Sequence, residues 1–558
     1  MRRWAWVLLV GVMAGCRGDD VARPEFRRPL EDLPAGAETL LLGSDLRNMW
    51  HRAEGHELWE FARQFATVER FLQRADVSAL QTACRRFETR TGTRVQDDLL
   101  LNALGSRATL GAYGVGSTAG EFDPERMDLL LVGELADPGR FRSAIRALRP
   151  EDFEGQVEIS ESSVGEAGAL RFERAGGRSI VIVQQDNFLV ASTRDSLALG
   201  ALAIHAGASR ESALGDSAFA AALRALGPAN VMALTRTPGE AGHWVAQGFT
   251  WDPEGLHLGW VRPAGSDGRG GAEEARSGGE SAGAAPGAEG GESRRDDILR
   301  SIPDGMTLAL YGRGSALGLA NLGGAGARHM AGADSAVGQA SSILKLATSF
   351  LPPEVWRVAG DEFGIALLDA ETTALAAFPN VGLVLELRDP ESAARSLRVL
   401  EAALNIVRFQ GVTHDFEDVA YGGRTFRSLV NPLLGALTPS WIVDGDFAII
   451  TSTRALMQQF VDTRRTGRRN VLSDGSFRPF RDFVPAQAQA VVYADRRRLQ
   501  RVLDQIQPSL SRLGAGSNEL VTQLQRFAVL GDHFPAGVAY LAPEGDRLAV
   551  RGWVMEKR

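Results

Sequence analysis

Between residues 51 and 60 the chain carries five side chains of metal-binding type: His51, Glu54, His56, Glu57 and Glu60. A zinc pair on a helix needs its ligands at i and i+4, on one face. His51 and His56 are five apart, which turns one roughly 140° from the other, and Gly55 interrupts the run. The segment therefore reads as a solvated polar face, and no metal site is expected. Ser342-Ile343-Leu344-Lys345 has the Ser-x-x-Lys spacing in which a lysine takes a proton from a nucleophilic serine. That chemistry also needs a Lys-Thr-Gly strand. The remaining lysine, Lys557, is followed only by Arg558, so the set is incomplete. Gly323-Gly324-Ala325-Gly326 lacks the following Lys-Ser/Thr of a phosphate loop and the spacing of a dinucleotide fingerprint. Asp97-Asp98 and Asp296-Asp297 are adjacent acids, and the first pair suits a helix start, where negative charge is favoured. The other histidines, His205, His243, His257, His329, His414 and His533, are scattered. No catalytic residue, cofactor-binding residue or metal ligand is assigned, and the expectation is a protein that is not an enzyme.

The residue with the clearest chemistry is Cys16. Arg2 and Arg3 precede a short apolar stretch from Trp4 to Ala14. That stretch falls well short of the roughly 20 apolar residues that span a bilayer, and it has the layout of a signal peptide. Met13-Ala14-Gly15-Cys16 resembles the lipobox of bacterial lipoproteins, with Met13 where Leu is usual. The resemblance covers about the first sixteen residues. It implies cleavage before Cys16 and acylation of that cysteine, with chains such as palmitate on its thiol and its new amine. Two or more chains hold stably, at ~0.8 kcal/mol per buried CH₂. Arg17 follows where an Asp would favour the inner membrane, so the expected location is the cell envelope, more specifically the outer membrane, facing periplasm or surface. With Cys16 lipidated, Cys84 stands alone and no internal disulfide forms; its setting reads as a core helix face.

Composition narrows the rest. A net charge of −8 and a pI near 5.7 argue against nucleic-acid binding. With 44% hydrophobic residues the chain can bury a core. Residues 265 to 294, rich in Gly, Ala, Glu and Ser, read as a flexible linker. The expected organisation is residues 1–15 signal peptide, 16–32 lipidated cysteine and tether, 33–264 a first repeat, 265–294 linker and 295–558 a second repeat.

The repeat rests on landmarks in one order. Leu33-Pro34-Ala35-Gly36 leads to Leu40-Leu41-Leu42, and Ile302-Pro303-Asp304-Gly305 leads to Leu308-Ala309-Leu310. Short strands follow at Ala108 to Tyr113 and Phe363 to Leu368. Asp137-Pro138 and Asp389-Pro390 open amphipathic helices after apolar strands. Ser192-Thr193-Arg194 and Ser452-Thr453-Arg454 close strand meanders. Ser217-Ala218-Phe219 and Ser476-Phe477 come next, and hairpins turn at Pro253-Glu254-Gly255 and Pro543-Glu544-Gly545. β-rich runs around Gln185-Asp186-Asn187 and Asp444-Gly445-Asp446 read as hairpins. The expected fold class is α+β: two similar repeats, each an antiparallel sheet covered by helices on one face. The landmarks resemble a family of bacterial envelope proteins, often lipoproteins, with Leu-Pro strands and Asp-Pro helix starts. That family carries no assigned activity, so no site residue is taken from it. The function expected is a non-catalytic envelope lipoprotein that presents its body for protein interaction or assembly, with the envelope partner unidentified. Two alternatives stand: a periplasmic carrier of lipid or apolar ligands lined by Ile343 to Leu351, and a hydrolase with no visible motif.

Overall fold

The computed structural model describes residues 30–45, 47, 75–104, 107–114, 127–174, 179–236, 243–252, 254–263, 295–313, 358–372, 377–406, 415–430, 435, 437–510, 535–544 and 547–556. The chain divides into two compact units, residues 1–266 with 544–549, and residues 267–543 with 550–558.

In the first unit the strands are β1 (Thr39–Ser44), β2 (Arg107–Tyr113), β3 (Asp128–Glu134), β4 (Val157–Val164), β5 (Ala167–Arg174), β6 (Ser179–Gln185), β7 (Phe188–Ser192), β8 (Val231–Arg236), β9 (Trp244–Asp252) and β10 (Gly255–Pro263). Its helices are α1 (Ala75–Thr91), α2 (Leu101–Leu104), α3 (Pro138–Arg146), α4 (Asp195–His205) and α5 (Ser217–Leu226). Hydrogen bonding runs β4-β5-β6-β7-β3-β2-β1-β8-β9-β10. The later strands are β11 (Leu308–Arg313), β12 (Ala359–Thr372), β13 (Ala377–Leu387), β14 (Asp415–Tyr421), β15 (Arg424–Val430), β16 (Ser440–Asp444), β17 (Phe447–Thr451), β18 (Ala490–Asp495), β19 (Ala536–Glu544) and β20 (Arg547–Met555). The helices there are α6 (Arg295–Ser301), α7 (Pro390–Ile406), α8 (Arg454–Thr466) and α9 (Arg496–Leu510). These strands pair β14-β15-β16-β17-β13-β12-β11-β18-β19-β20, the same order.

The expected fold class is corrected in two respects. Among the described residues strand outweighs helix, so the chain is not a pair of helix-covered α+β repeats. The helices, moreover, pack on both faces of the strands rather than on one. Leu383, Val384 and Leu385 are consecutive and all buried. Leu383 and Leu385 pack with Ala393 and Leu397 of α7, whereas Val384 packs with Leu456, Met457 and Phe460 of α8. In the first unit Phe188 and Val190 join Ala198 and Phe219, while Leu189 faces Phe141 and Ile145 of α3. A strand covered on both faces reads as a continuous apolar run, not as alternation.

Individual elements follow their local chemistry. Asp137 caps α3 by accepting the Arg140 amide at 2.9 Å, with Pro138 supplying a preset φ in the first turn. The β6–β7 and β16–β17 hairpins turn on Asp186 at φ 50° and Gly445 at φ 61°. The short strand expected at 363–368 is the middle of a fourteen-residue strand, β12, which carries register shifts at both ends. The matched Ser-Thr-Arg tripeptides are one residue out of step. The Thr193 hydroxyl accepts the Leu129 amide at 2.8 Å, and the residue making the same bond, to Val381 at 2.9 Å, is Ser452. Arg194 and Thr453 hold the equivalent place before α4 and α8.

Candidate functional site

Most residues singled out from sequence for their chemistry lie outside the described residues: Cys16, His51 to Glu60, Gly323 to Gly326, Ser342 to Lys345, Ile343 to Leu351, His329, His414 and His533, and the linker 265 to 294. Those within them are engaged locally. Cys84 sits half-buried on α1, where burial and then Glu88 push its thiol up. Asp97 and Asp98 occupy a single π-helical turn, Val95–Leu100. Asp97 pairs with Arg94 at 3.0 Å, while the buried Asp98 accepts the Arg94 amide at 2.8 Å and pairs with Arg140. Asp296 and Asp297 face Arg300 on α6 at 3.8 and 3.6 Å. His205 lies 3.0 Å from Asp32 and stacks on Phe188, and His257 lies 3.3 Å from Asp252. Among the described residues no three His, Cys, Asp or Glu side chains converge as metal ligands. None of the described helices is long and apolar enough to cross a membrane.

The structure does assemble a polar centre that the sequence reading missed. The Ile302-Pro303-Asp304-Gly305 loop is tied to residues 467–474. Pro303 bridges Asn470, the Asp304 amide donates to the Arg469 carbonyl at 2.7 Å, and the Val471 amide donates to Ile302 at 3.0 Å. Gly305 holds φ 78°, a turn that favours glycine, and its amide donates to Asp474 at 2.8 Å. Asp474 also accepts the Ser476 amide at 2.8 Å and Arg498 Nη1 at 2.9 Å. The same Nη1 donates to the Met306 carbonyl at 3.1 Å, and Arg498 Nε lies 3.3 Å from Asp495. Burial pushes the Asp474 carboxyl up, but Arg498 and the two amides outweigh it and hold the group below the usual carboxylate range.

The first unit has the corresponding loop. Pro34 bridges Ser212, the Ala35 amide donates to the Glu211 carbonyl at 3.0 Å, and the Ala213 amide to Leu33 at 2.7 Å. Asp216 takes the place of Asp474, but it accepts the Ala218 and Phe219 amides and Trp244 Nε1 at 3.1 Å. The signal that could have found both centres was the Asp three residues before each Phe, Asp216 before Phe219 and Asp474 before Phe477.

Exposed arginines lie on the segment tied to the Pro303 loop and beside Arg498 on α9. Arg468, Arg469, Arg478, Arg497 and Arg501 are exposed. Arg469 adopts φ 55° and its side chain is 86% exposed, 3.4 Å from Asp304. The arrangement can hold anions at its surface. Its buried carboxylates serve as acceptors for backbone amides and Arg498. No family model matches this chain, and neither a curated protein nor a solved structure was found to be similar to it.

Proposed function

We propose that the chain is a lipid-anchored envelope protein, held on the outer membrane through Cys16, whose body acts by binding other envelope proteins rather than by catalysis. The observation that carries this reading is Met13-Ala14-Gly15-Cys16 behind a basic and short apolar start. Its support from the body is that the buried Asp98, Asp152 and Asp474 and the half-buried Asp216 each serve backbone amides or arginines. A general acid or base would instead need a lone pair aimed at a substrate.

The test is the mass of the amino-terminal peptide from the native membrane fraction, together with crosslinking through a tag after Arg558. A diacylglyceryl-modified, N-acylated Cys16, lost with membrane retention in Cys16→Ala, is expected. So is capture of the same envelope proteins in repeated preparations. An unmodified cysteine, or an intact residue 15–16 bond in the mature protein, refutes the anchor. Capture of no partner by a correctly anchored chain refutes the interaction role.

A further inference from the structure

The exposed arginines on the segment tied to the Pro303 loop and on α9 carry a charge that the fold itself does not require. The matching hydrogen bonds set Arg469 against Glu211, through the amides of Asp304 and Ala35. They also set Arg478 against Ala220, whose amides donate to the carbonyls of Asp474 and Asp216. At these two positions equivalent backbone carries arginine near Pro303 and acid or alanine near Pro34, while Arg468 is matched by Arg210. Of the nearby acids, Asp482 and Asp504 are exposed. Asp474 and Asp495 are buried against Arg498, and Asp304 faces Arg469, which leaves Arg468, Arg478, Arg497 and Arg501 exposed. Arg497 and Arg501 are one helical turn apart on α9, beside Arg498. Arg469 supplies an independent sign. A long L side chain at φ 55° is held in the left-handed region that glycine or asparagine adopts more readily, yet the side chain projects into solvent.

We infer that these arginines dock on anionic lipid headgroups, giving the chain a second membrane contact besides the lipid on Cys16. The choice of a membrane as occupant rests on the anchored reading above. Guanidinium groups match phosphate oxygens in paired hydrogen bonds. A lipid tether keeps those phosphates within reach. Because the whole chain carries −8, an anionic surface repels most of it and attracts these arginines, so the contact also sets which face meets the membrane.

The experiment uses the full chain with Cys16→Ala, which removes the acyl chains, and co-sedimentation with vesicles of phosphatidylcholine alone or mixed with phosphatidylglycerol. Binding to the anionic vesicles only is expected. An arginine near such a surface contributes about fivefold, so Arg468→Gln, Arg469→Gln and Arg478→Gln together should weaken partition about a hundredfold. Arg210→Gln, at the position matching Arg468, should change nothing. Equal binding to both vesicles, or full binding by the triple variant, overturns the proposal. So does retention on immobilised polyglutamate without vesicle binding, which would assign the arginines to an acidic protein. The salt dependence needs no substitution: binding unchanged between about 50 mM and about 500 mM salt also overturns it. Failure here leaves the Cys16 modification to be judged by its own mass measurement.

Discussion

Replacing Asp474 with Asn tests whether the Pro303 loop is held by a buried charge. The carboxylate accepts Gly305, Ser476 and Arg498, and its side chain is 4% exposed. Asn keeps one acceptor oxygen, enough for the Ser476 amide. Its NH₂ would then face the Gly305 N–H and Arg498, donor against donor. A hydrogen bond to a charged group contributes about 1.5–3 kcal/mol, and stripping one partner from a buried pair costs about 3–5 kcal/mol. Arg498 keeps Asp495 and the Met306 carbonyl, so the lower end applies and about 3 kcal/mol is expected. Urea denaturation followed by circular dichroism measures the loss, and hydrogen exchange of residues 303–310 locates it, with Gly305 exchanging faster. The sign with pH follows from the depressed Asp474 group. Its stabilisation is fully present above the unfolded carboxylate value of about 3.9 and is lost as pH falls through the lower folded value. The gap between wild type and Asp474→Asn should stay level near neutrality and shrink below about pH 4. A gap under about 0.5 kcal/mol at pH 7, or one that does not narrow in acid, refutes the reasoning.

Three further outcomes are expected. Gly382→Ala places a Cβ 2.4 Å from Phe460 Cε2 and 2.5 Å from Cζ; the overpacking should cost about 1–3 kcal/mol, and Phe460→Leu in the same chain should recover part of it, read from the urea midpoint. Asp137→Ala removes the acceptor for the Arg140 amide at the start of α3 and should cost about 1 kcal/mol, with faster exchange confined to residues 138–142. Phe219→Ala empties a fully buried position in the first unit's core, where its ring meets Trp244 edge-on at 5.2 Å; a loss of about 3–5 kcal/mol is expected, accompanied by a shift in tryptophan fluorescence.

Much of the local structure was legible because it depends on near neighbours in the chain. Asp-Pro before a helix, Asp-Gly between β-rich runs and Pro-x-Gly before a strand each act through φ preference or a bond spanning a few residues. The elements at 138–146, 440–451 and 308–313 stand where those signals put them. The limits of the same signals show in the Ser-Thr-Arg pair. Identity of letters aligned Thr193 with Thr453, whereas the hydroxyl that accepts the β3 or β13 amide aligns it with Ser452. Serine and threonine offer the same oxygen, so geometry conserves the acceptor and not the letter. Asp474 and Arg498 were passed over for a related reason. They are 24 residues apart and meet only when β18 and the Pro303 loop pack together.

The sequence by itself determined the acidic balance, the presence of two cysteines, Cys16 and Cys84, and the turns and caps, all of which follow from composition or from contacts a few residues long, and it supplies the Met13-Ala14-Gly15-Cys16 resemblance on which the proposed anchor rests. Tertiary structure alone decided the strand order that both units share, that helices cover both faces of the strands, and that Asp474 and Arg498 meet beside the Pro303 loop. Those features depend on which distant backbone groups satisfy each other and which apolar faces meet. No local pattern encodes that, because an unpaired strand edge or an apolar stripe looks the same whatever comes to cover it.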